Sequence, residues 1–127
     1  MYEHNIGSHK NVKVFSILSD IQRGKPNIIR LRSYENVIVE VVITTKGAKV
    51  TPITPYKWSG INSKHLNWFF GDLNSRLHTD LSYYDTKFLR MHDDYDLLIE
   101  DDTTVYQNRL TRETLERRIT NNRDIIM

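Results

Sequence analysis

The sequence predicts an α+β domain, with an antiparallel or mixed sheet of about five strands, a central amphipathic helix packed on one face, and helices near both termini. Two observations lead to this prediction. Leu66, Phe69, Phe70, Leu73 and Leu77 recur at the three- and four-residue spacing of one helix face. Short segments rich in β-branched and aromatic residues precede and follow that helix, which is the layout of an α+β fold. A chain of 127 residues suits one domain with one hydrophobic core.

The first half of the chain is expected to contain one helix and three strands. Apolar residues recur at three-residue spacing within residues 8–24, and a glycine and a proline then provide a stop signal. Residues 28–32 alternate apolar and basic side chains, and residues 37–45 are rich in β-branched ones, so both predict strands. Residues 46–49 predict a hairpin turn into a third strand at 50–53.

The second half begins with the central helix, for which Asn62 or Ser63 is the expected N-cap. Three further strands are predicted after it, at residues 83–91, 96–99 and 103–106. A short terminal helix is expected to open at Thr111. Its apolar face is thin, because only Leu115 and Ile119 contribute to it, so it requires a surface to dock on.

Composition excludes several classes of function. The chain has no cysteine, so disulfide frameworks, thiolate zinc sites and cysteine nucleophiles are excluded. The five histidines lack the spacing of a metal site, and no phosphate-binding glycine loop or serine nucleophile elbow is present. We therefore expect a protein without enzymatic activity, cofactor or metal. With no signal peptide and no apolar run of bilayer length, we expect a protein that is neither secreted nor embedded in a membrane.

Charge is distributed unevenly along the chain. Residues 1–50 hold 8 Lys and Arg against 4 Asp and Glu, whereas residues 93–108 hold 6 acidic residues and no Lys or Arg. Trp68 lies off the apolar stripe, where it is either covered by the loop holding Trp58 or free to anchor an interface. We interpret the acidic segment as a sheet edge that faces a basic surface of a neighbouring subunit. The predicted interface residues are Trp68, Asp93, Asp94, Asp96, Glu100, Asp101, Asp102, Leu115 and Ile119.

The order of elements resembles that of small phage neck, tail-terminator and connector proteins, although no family motif is matched. The resemblance implies a structural component of a phage or virion that assembles with other protein subunits, as a homo-oligomer or a hetero-assembly. It also implies a location in the cytoplasm of the host cell or within a virion. A non-enzymatic assembly module is therefore the leading hypothesis.

Two alternatives use other residues. Arg30, Arg32, Lys46 and Lys49 predict a phosphate-contacting surface for a nucleic-acid-binding protein. Asp85 and Lys87 have the acid-x-Lys spacing of metal-dependent nucleases, provided that residues 83–91 form a strand and that a second carboxylate lies nearby.

Overall fold

The structure, a computed structural model, describes residues 3–9, 12–17, 27–101 and 103–117. These residues form one antiparallel sheet and two helices. The strands are β1 (Glu3–His9), β2 (Val12–Ile17), β3 (Asn27–Ser33), β4 (Asn36–Ile43), β5 (Gly47–Pro52), β6 (Tyr95–Glu100), β7 (Thr103–Asn108) and β8 (Thr114–Glu116). The helices are α1 (Gly60–Leu77), which follows a single 3-10 turn at Pro55–Lys57, and α2 (Tyr83–Met91).

The spatial order of the strands follows their order in the chain, from β1 at one edge to β8 at the other. Every neighbouring pair is antiparallel. Both helices are inserted between β5 and β6, which are themselves hydrogen-bonded neighbours. The fold is therefore a meander of consecutive strands with one helical insertion.

The core lies between the sheet and α1. The helix buries the predicted stripe, with Leu66, Phe69 and Leu73 at 0% exposure and Phe70 at 1%. Side chains alternate along each strand, and the sheet contributes its buried row from Leu31, Val39, Val41, Val50 and Leu97. The predicted central helix on one sheet face is confirmed.

The start of α1 is set by hydrogen bonds to its own cap and to β3. Ser59, rather than Asn62 or Ser63, is the N-cap, and its side chain and that of Asn62 bond each other's backbone N–H in a capping box. The Asn62 amide also donates to the Ser33 hydroxyl at 2.8 Å, and His65 Nδ1 lies 2.6 Å from the same oxygen. Ser33 is 1% exposed, so this polar cluster holds the end of β3 against the first turns of α1.

The connection between the helices depends on one asparagine. The Asn74 side chain accepts from the Leu81 backbone N–H at 2.7 Å and donates to the Leu81 carbonyl at 2.7 Å. A second contact, from the Thr86 hydroxyl to Asn67 at 2.7 Å, joins α2 to the middle of α1. Together these bonds orient α2 relative to α1.

The sheet is larger than predicted, with seven strands of six to eight residues and a three-residue eighth strand. Part of the excess comes from residues 8–24, where the predicted helix is wrong over its described portion: β2 occupies Val12–Ile17 and pairs with β1 and β3. β-branched residues at Val12 and Val14 suit a strand, and pairing with distant residues overrides the helical spacing. Residues 18–26 lie outside the described part of the chain.

The strand predicted at 83–91 is also wrong, because α2 spans those residues. Ser82 is its N-cap, and Asp85 at the third helical position completes a capping box. Asp85, Thr86 and Leu89 are buried at helical spacing.

The predicted C-terminal helix is wrong where the chain is described, since β8 pairs with β7 from Thr114 to Glu116. Residues 108–112 form a turn instead of a helix start. The Asn108 side chain accepts from the backbone N–H of Leu110 and Thr111, and the Asn108 N–H donates to the Glu113 carbonyl at 2.8 Å. These bonds reverse the chain into an antiparallel strand. The predicted strands at 28–32, 37–45, 50–53, 96–99 and 103–106 are confirmed, with small shifts of their ends.

Gly47 is required where the β4–β5 turn passes the neighbouring strand. Its φ is 156°, and its backbone lies so close to the neighbouring strand that a Cβ would be 1.9 Å from the Ile99 carbonyl oxygen.

We expect Gly47→Ala to lower the free energy of unfolding by about 2–3 kcal/mol, as for overpacking against an unyielding neighbour. Urea unfolding measures this loss. Gly71→Ala is the matched control: nothing lies within 4 Å of the added methyl in α1, so it should stabilise the protein by about 1 kcal/mol. Equal effects of the two substitutions would contradict this packing.

Candidate functional site

The sheet has one face that the helices do not cover, here called the outer face. Along each strand its residues alternate with the buried row, and it carries Arg30, Arg32, Glu40, Val42, Lys49, Thr51, Asp96, Leu98, Glu100, Val105 and Gln107. Most of these side chains are half-buried or exposed. The outer face therefore combines charged and apolar groups within reach of a partner.

An apolar row crosses the middle of the outer face. Register pairing places Val42 beside Lys49, Lys49 beside Leu98, and Leu98 beside Val105. The three apolar side chains are half-buried, and Lys49 is exposed between two of them. The ammonium group of Lys49 thus stands at the centre of a partly apolar strip.

A cleft of about 380 Å³ opens on the outer face between β5, β6 and β7. Its lining includes Lys49, Leu98, Glu100, Gln107 and Arg112. Among the described residues, the charged groups of Lys49, Glu100 and Arg112 form no ion pair with one another or with a third residue. The cleft is a polar depression that offers both signs of charge to a binding partner.

The acidic segment is not the sheet edge that the sequence predicted. β6, which holds Asp96 and Glu100, is an interior strand bonded on both sides, so its carboxylates cannot protect an unpaired edge. Asp96 is 3% exposed, and its carboxylate pairs with the Arg109 guanidinium at 2.5 Å. Arg109 also donates to the Asp93 carbonyl. The acidic segment 93–108 is therefore partly neutralised by Arg109, the residue that follows it directly in the chain.

The remaining predicted interface residues are dispersed. Asp93 and Asp94 are exposed before β6, and Asp101 is exposed after it, so the two groups lie at opposite ends of that strand. Trp68 is partly buried and packs against the core, while Trp58 is 4% exposed and donates to the Ile53 carbonyl. Leu115, in β8, is 42% exposed. Asp102 and Ile119 lie outside the described residues.

The basic residues of the nucleic-acid hypothesis meet only in part. Arg30 and Arg32 share the outer face with Lys49, whereas Lys46 lies in the exposed β4–β5 turn. Glu40 stands on that face as well, and its carboxylate is 3.0 Å from Arg30 Nε.

Asp85 is a buried carboxylate, 1% exposed, that receives four hydrogen bonds. One oxygen accepts from the Ser82 backbone N–H at 2.8 Å and from Arg117 Nη2 at 2.7 Å. The other accepts from the Tyr106 hydroxyl at 2.6 Å and from Arg117 Nε at 2.8 Å. Arg117 reaches further to Asp80, with Nη1 2.9 Å from its carboxylate. We call Arg117, Asp85, Asp80 and Tyr106 the Arg117 anchor.

Electrostatics in the Arg117 anchor keep the guanidinium charged and the phenol neutral. Burial alone would lower the pKa of Arg117, but the hydrogen bonds and charge of Asp85, and then those of Asp80, outweigh it and raise the pKa. Burial, followed by the negative charge of Asp85, raises the pKa of Tyr106 well above its ordinary value. The Tyr106 ring also stacks on Phe88, with centroids 3.7 Å apart.

These contacts remove the arrangement on which the nuclease hypothesis depended. Asp85 and Lys87 lie on a helix, where residues two apart point in nearly opposite directions, and Asp85 faces an arginine inside the protein. Over residues 3–9, 12–17, 27–101 and 103–117, no group of three His, Asp or Glu residues is placed to hold a metal ion. Nor is any helix in those ranges long and apolar enough to cross a bilayer.

The sequence contained a signal for half of this anchor. Ser82 and Asp85 have the spacing of a capping box, which marks a helix start and places a carboxylate at its first turn. Nothing local marks the other half, because Arg117 is 32 residues from Asp85 and its sequence neighbourhood resembles a salt-bridged helix face.

Removing Arg117 should be far more costly than removing an exposed arginine. Arg117→Ala leaves the Asp85 carboxylate buried without its countercharge, so we expect a loss of about 3–5 kcal/mol in the free energy of unfolding. Chemical denaturation measures it. The control is Arg76→Ala, which breaks the 2.9 Å pair with Asp72 on the exposed side of α1 and should cost about 0.3–0.5 kcal/mol. Comparable losses in the two variants would show that the anchor contributes little to stability.

No protein-family model, curated protein or solved structure matches this chain. Its function is therefore inferred from its own surfaces and contacts.

Proposed function

We propose that the chain is a non-enzymatic assembly module that binds other protein subunits through the outer face. The observation that carries the proposal is the row of Val42, Lys49, Leu98 and Val105, which places a lysine within a half-buried apolar strip. Protein interfaces combine such apolar centres with charged groups around them. The sequence-based expectation of a phage or virion component is one setting for such a module.

The mixture of charges favours a protein partner over a polyanion. Arg30, Arg32 and Lys49 share the outer face with Glu40, Asp96 and Glu100. A phosphate backbone that follows the basic residues would meet carboxylates on the same surface, whereas a protein can present the opposite pattern. The cleft beside Lys49 adds an exposed carboxylate and a guanidinium from Glu100 and Arg112.

Reversing the charge at the centre of the row should break the assembly. We expect the wild-type chain to have an oligomeric mass in size-exclusion chromatography with light scattering. Lys49→Glu should weaken the affinity between subunits at least tenfold and so shift the mass toward that of the monomer. Lys64→Glu is the control, because it makes the same charge change on an exposed position of α1. A wild-type chain that stays monomeric at all concentrations and salt levels, with no copurifying subunit, would overturn the proposal.

A second candidate function is nucleic-acid binding, favoured by one cluster on the outer face. Lys13 and Arg32 are register partners on β2 and β3, and Arg30 lies two residues from Arg32. Such a cluster is a footprint for phosphates.

Salt dependence tests this candidate directly. If three or four phosphates of single-stranded DNA are contacted, the logarithm of affinity should fall with the logarithm of salt at a slope of about −2 to −3. Arg32→Ala should reduce the size of that slope by about 0.7, as expected for one lost phosphate contact on a single strand, whereas Lys64→Ala on the helix side should leave it unchanged. Fluorescence anisotropy with a labelled oligonucleotide measures the slope. Absence of binding at low salt, or a slope that Arg32→Ala does not alter, removes nucleic acid as the partner.

A further inference from the structure

Resting on the proposed assembly function, we propose that β8 and Arg117 are exchanged between copies of this chain. In the exchanged form, Arg117 of one copy occupies the site formed by Asp80 and Asp85 of a second copy. The partner is thus another copy of the chain, and each site is incomplete without the Arg117 that this copy contributes.

The first observation is that β8 itself is weakly held. It has three residues, it pairs only with β7 among the described strands, and all three of its side chains are exposed. Leu115 leaves 42% of its surface open at the sheet edge. The strand itself therefore contributes few contacts, and Arg117, which follows it directly, provides most of the attachment of this segment.

The second observation is that Arg117 binds entirely through distant residues. Its hydrogen bonds go to Asp85, 32 residues away, and to Asp80, 37 residues away. Arg117 and Asp85 are 5% and 1% exposed in their side chains, and the guanidinium meets the Asp85 carboxylate with two nitrogens. Because no neighbour of Arg117 in the chain takes part, an arginine from another copy satisfies the same site equally well.

The third observation is strain in the segment that joins β7 to β8. Arg112 has a φ of 68°, in the left-handed region that side chains other than glycine rarely adopt. In the same segment Leu110 is 79% exposed. Extending this hinge would release the strained turn and allow the exposed leucine to pack, and short strained hinges are the known setting for strand exchange.

These observations complement one another. The closed monomer and the exchanged oligomer contain the same contacts of β8 and Arg117, made within one copy or between two. Their contact energies are therefore nearly equal, and the strained hinge favours the exchanged form. Protein concentration then decides between the two forms, as for other exchanged elements.

Engineered disulfides distinguish the two forms, since the chain has no native cysteine. Gln107 and Thr114 are register partners on β7 and β8, and Cα atoms of antiparallel partners lie about 4.5–5.5 Å apart, which a disulfide can span. The test variant is Gln107→Cys with Thr114→Cys. The matched control is Ile43→Cys with Ala48→Cys, partners in the β4–β5 hairpin that the exchange leaves within one copy and that lie outside the outer-face row and its cleft.

After mild oxidation of the oligomeric fraction, non-reducing denaturing electrophoresis should show the 107/114 variant mainly as covalent dimers or larger species. The 43/48 variant should run as a monomer. If both variants run as monomers although light scattering shows an oligomer, exchange is wrong and assembly stands. If the unmodified protein is monomeric at every concentration, the proposed function fails as well.

Discussion

The hydrogen-bonded carboxylate of Asp85 is the interaction on which the helical corner of the fold depends. Moving a carboxylate out of water costs several kcal/mol, and the cost is offset only when a countercharge and good donors replace the lost hydration. Here the donors come from three places: the cap of α2 at Ser82, β7 at Tyr106, and Arg117 just beyond β8. None of these elements can be displaced without leaving charge or a polar group unsatisfied inside the protein. The stacked rings of Phe88 and Tyr106 lie against the same site, so apolar packing and ion pairing favour the same arrangement.

The position of the helical insertion explains why the outer face of the sheet remains uncovered. β5 and β6 are hydrogen-bonded neighbours, and the chain leaves one and returns to the other through both helices. A connection between adjacent strands has no reason to pass around the sheet, so α1 and α2 both lie on the face that carries Leu31, Val39 and Val50. The described residues put no second layer on the outer face. On the outer face, the Arg30 guanidinium is paired with the Glu40 carboxylate of the neighbouring strand, and the apolar row is half-buried.

The sequence predicts an element correctly when the residues that determine it are close together in the chain. The stripe from Leu66 to Leu77 and the β-branched run at Val37–Ile43 are local patterns, and both gave the correct element. The strand predicted at 83–91 is wrong although a local signal marks a helix there, since Ser82 and Asp85 form a capping box. The ends of the chain failed for a different reason: β2 and β8 are strands because of their pairing partners, which their own spacing does not reveal. The same distance hid the Arg117 anchor, and it hid Arg109 as the partner of Asp96.

The two contact types proposed for assembly should respond differently to salt, because they differ in burial. Lys49, Glu100 and Arg112 are exposed, so any attraction that they exert on a partner is screened as salt rises. The pair of Arg117 and Asp85 is nearly closed to solvent, and the Asp85 carboxylate accepts two hydrogen bonds from the planar guanidinium, a geometry that lysine cannot reproduce. Exchange of β8 also needs no second complementary surface, because the same site at Asp80 and Asp85 binds Arg117 of its own copy in the monomer and Arg117 of another copy in the exchanged form. A particle built from both contacts would therefore lose its lateral outer-face contacts first as salt rises, while the copies joined through Arg117 remained linked.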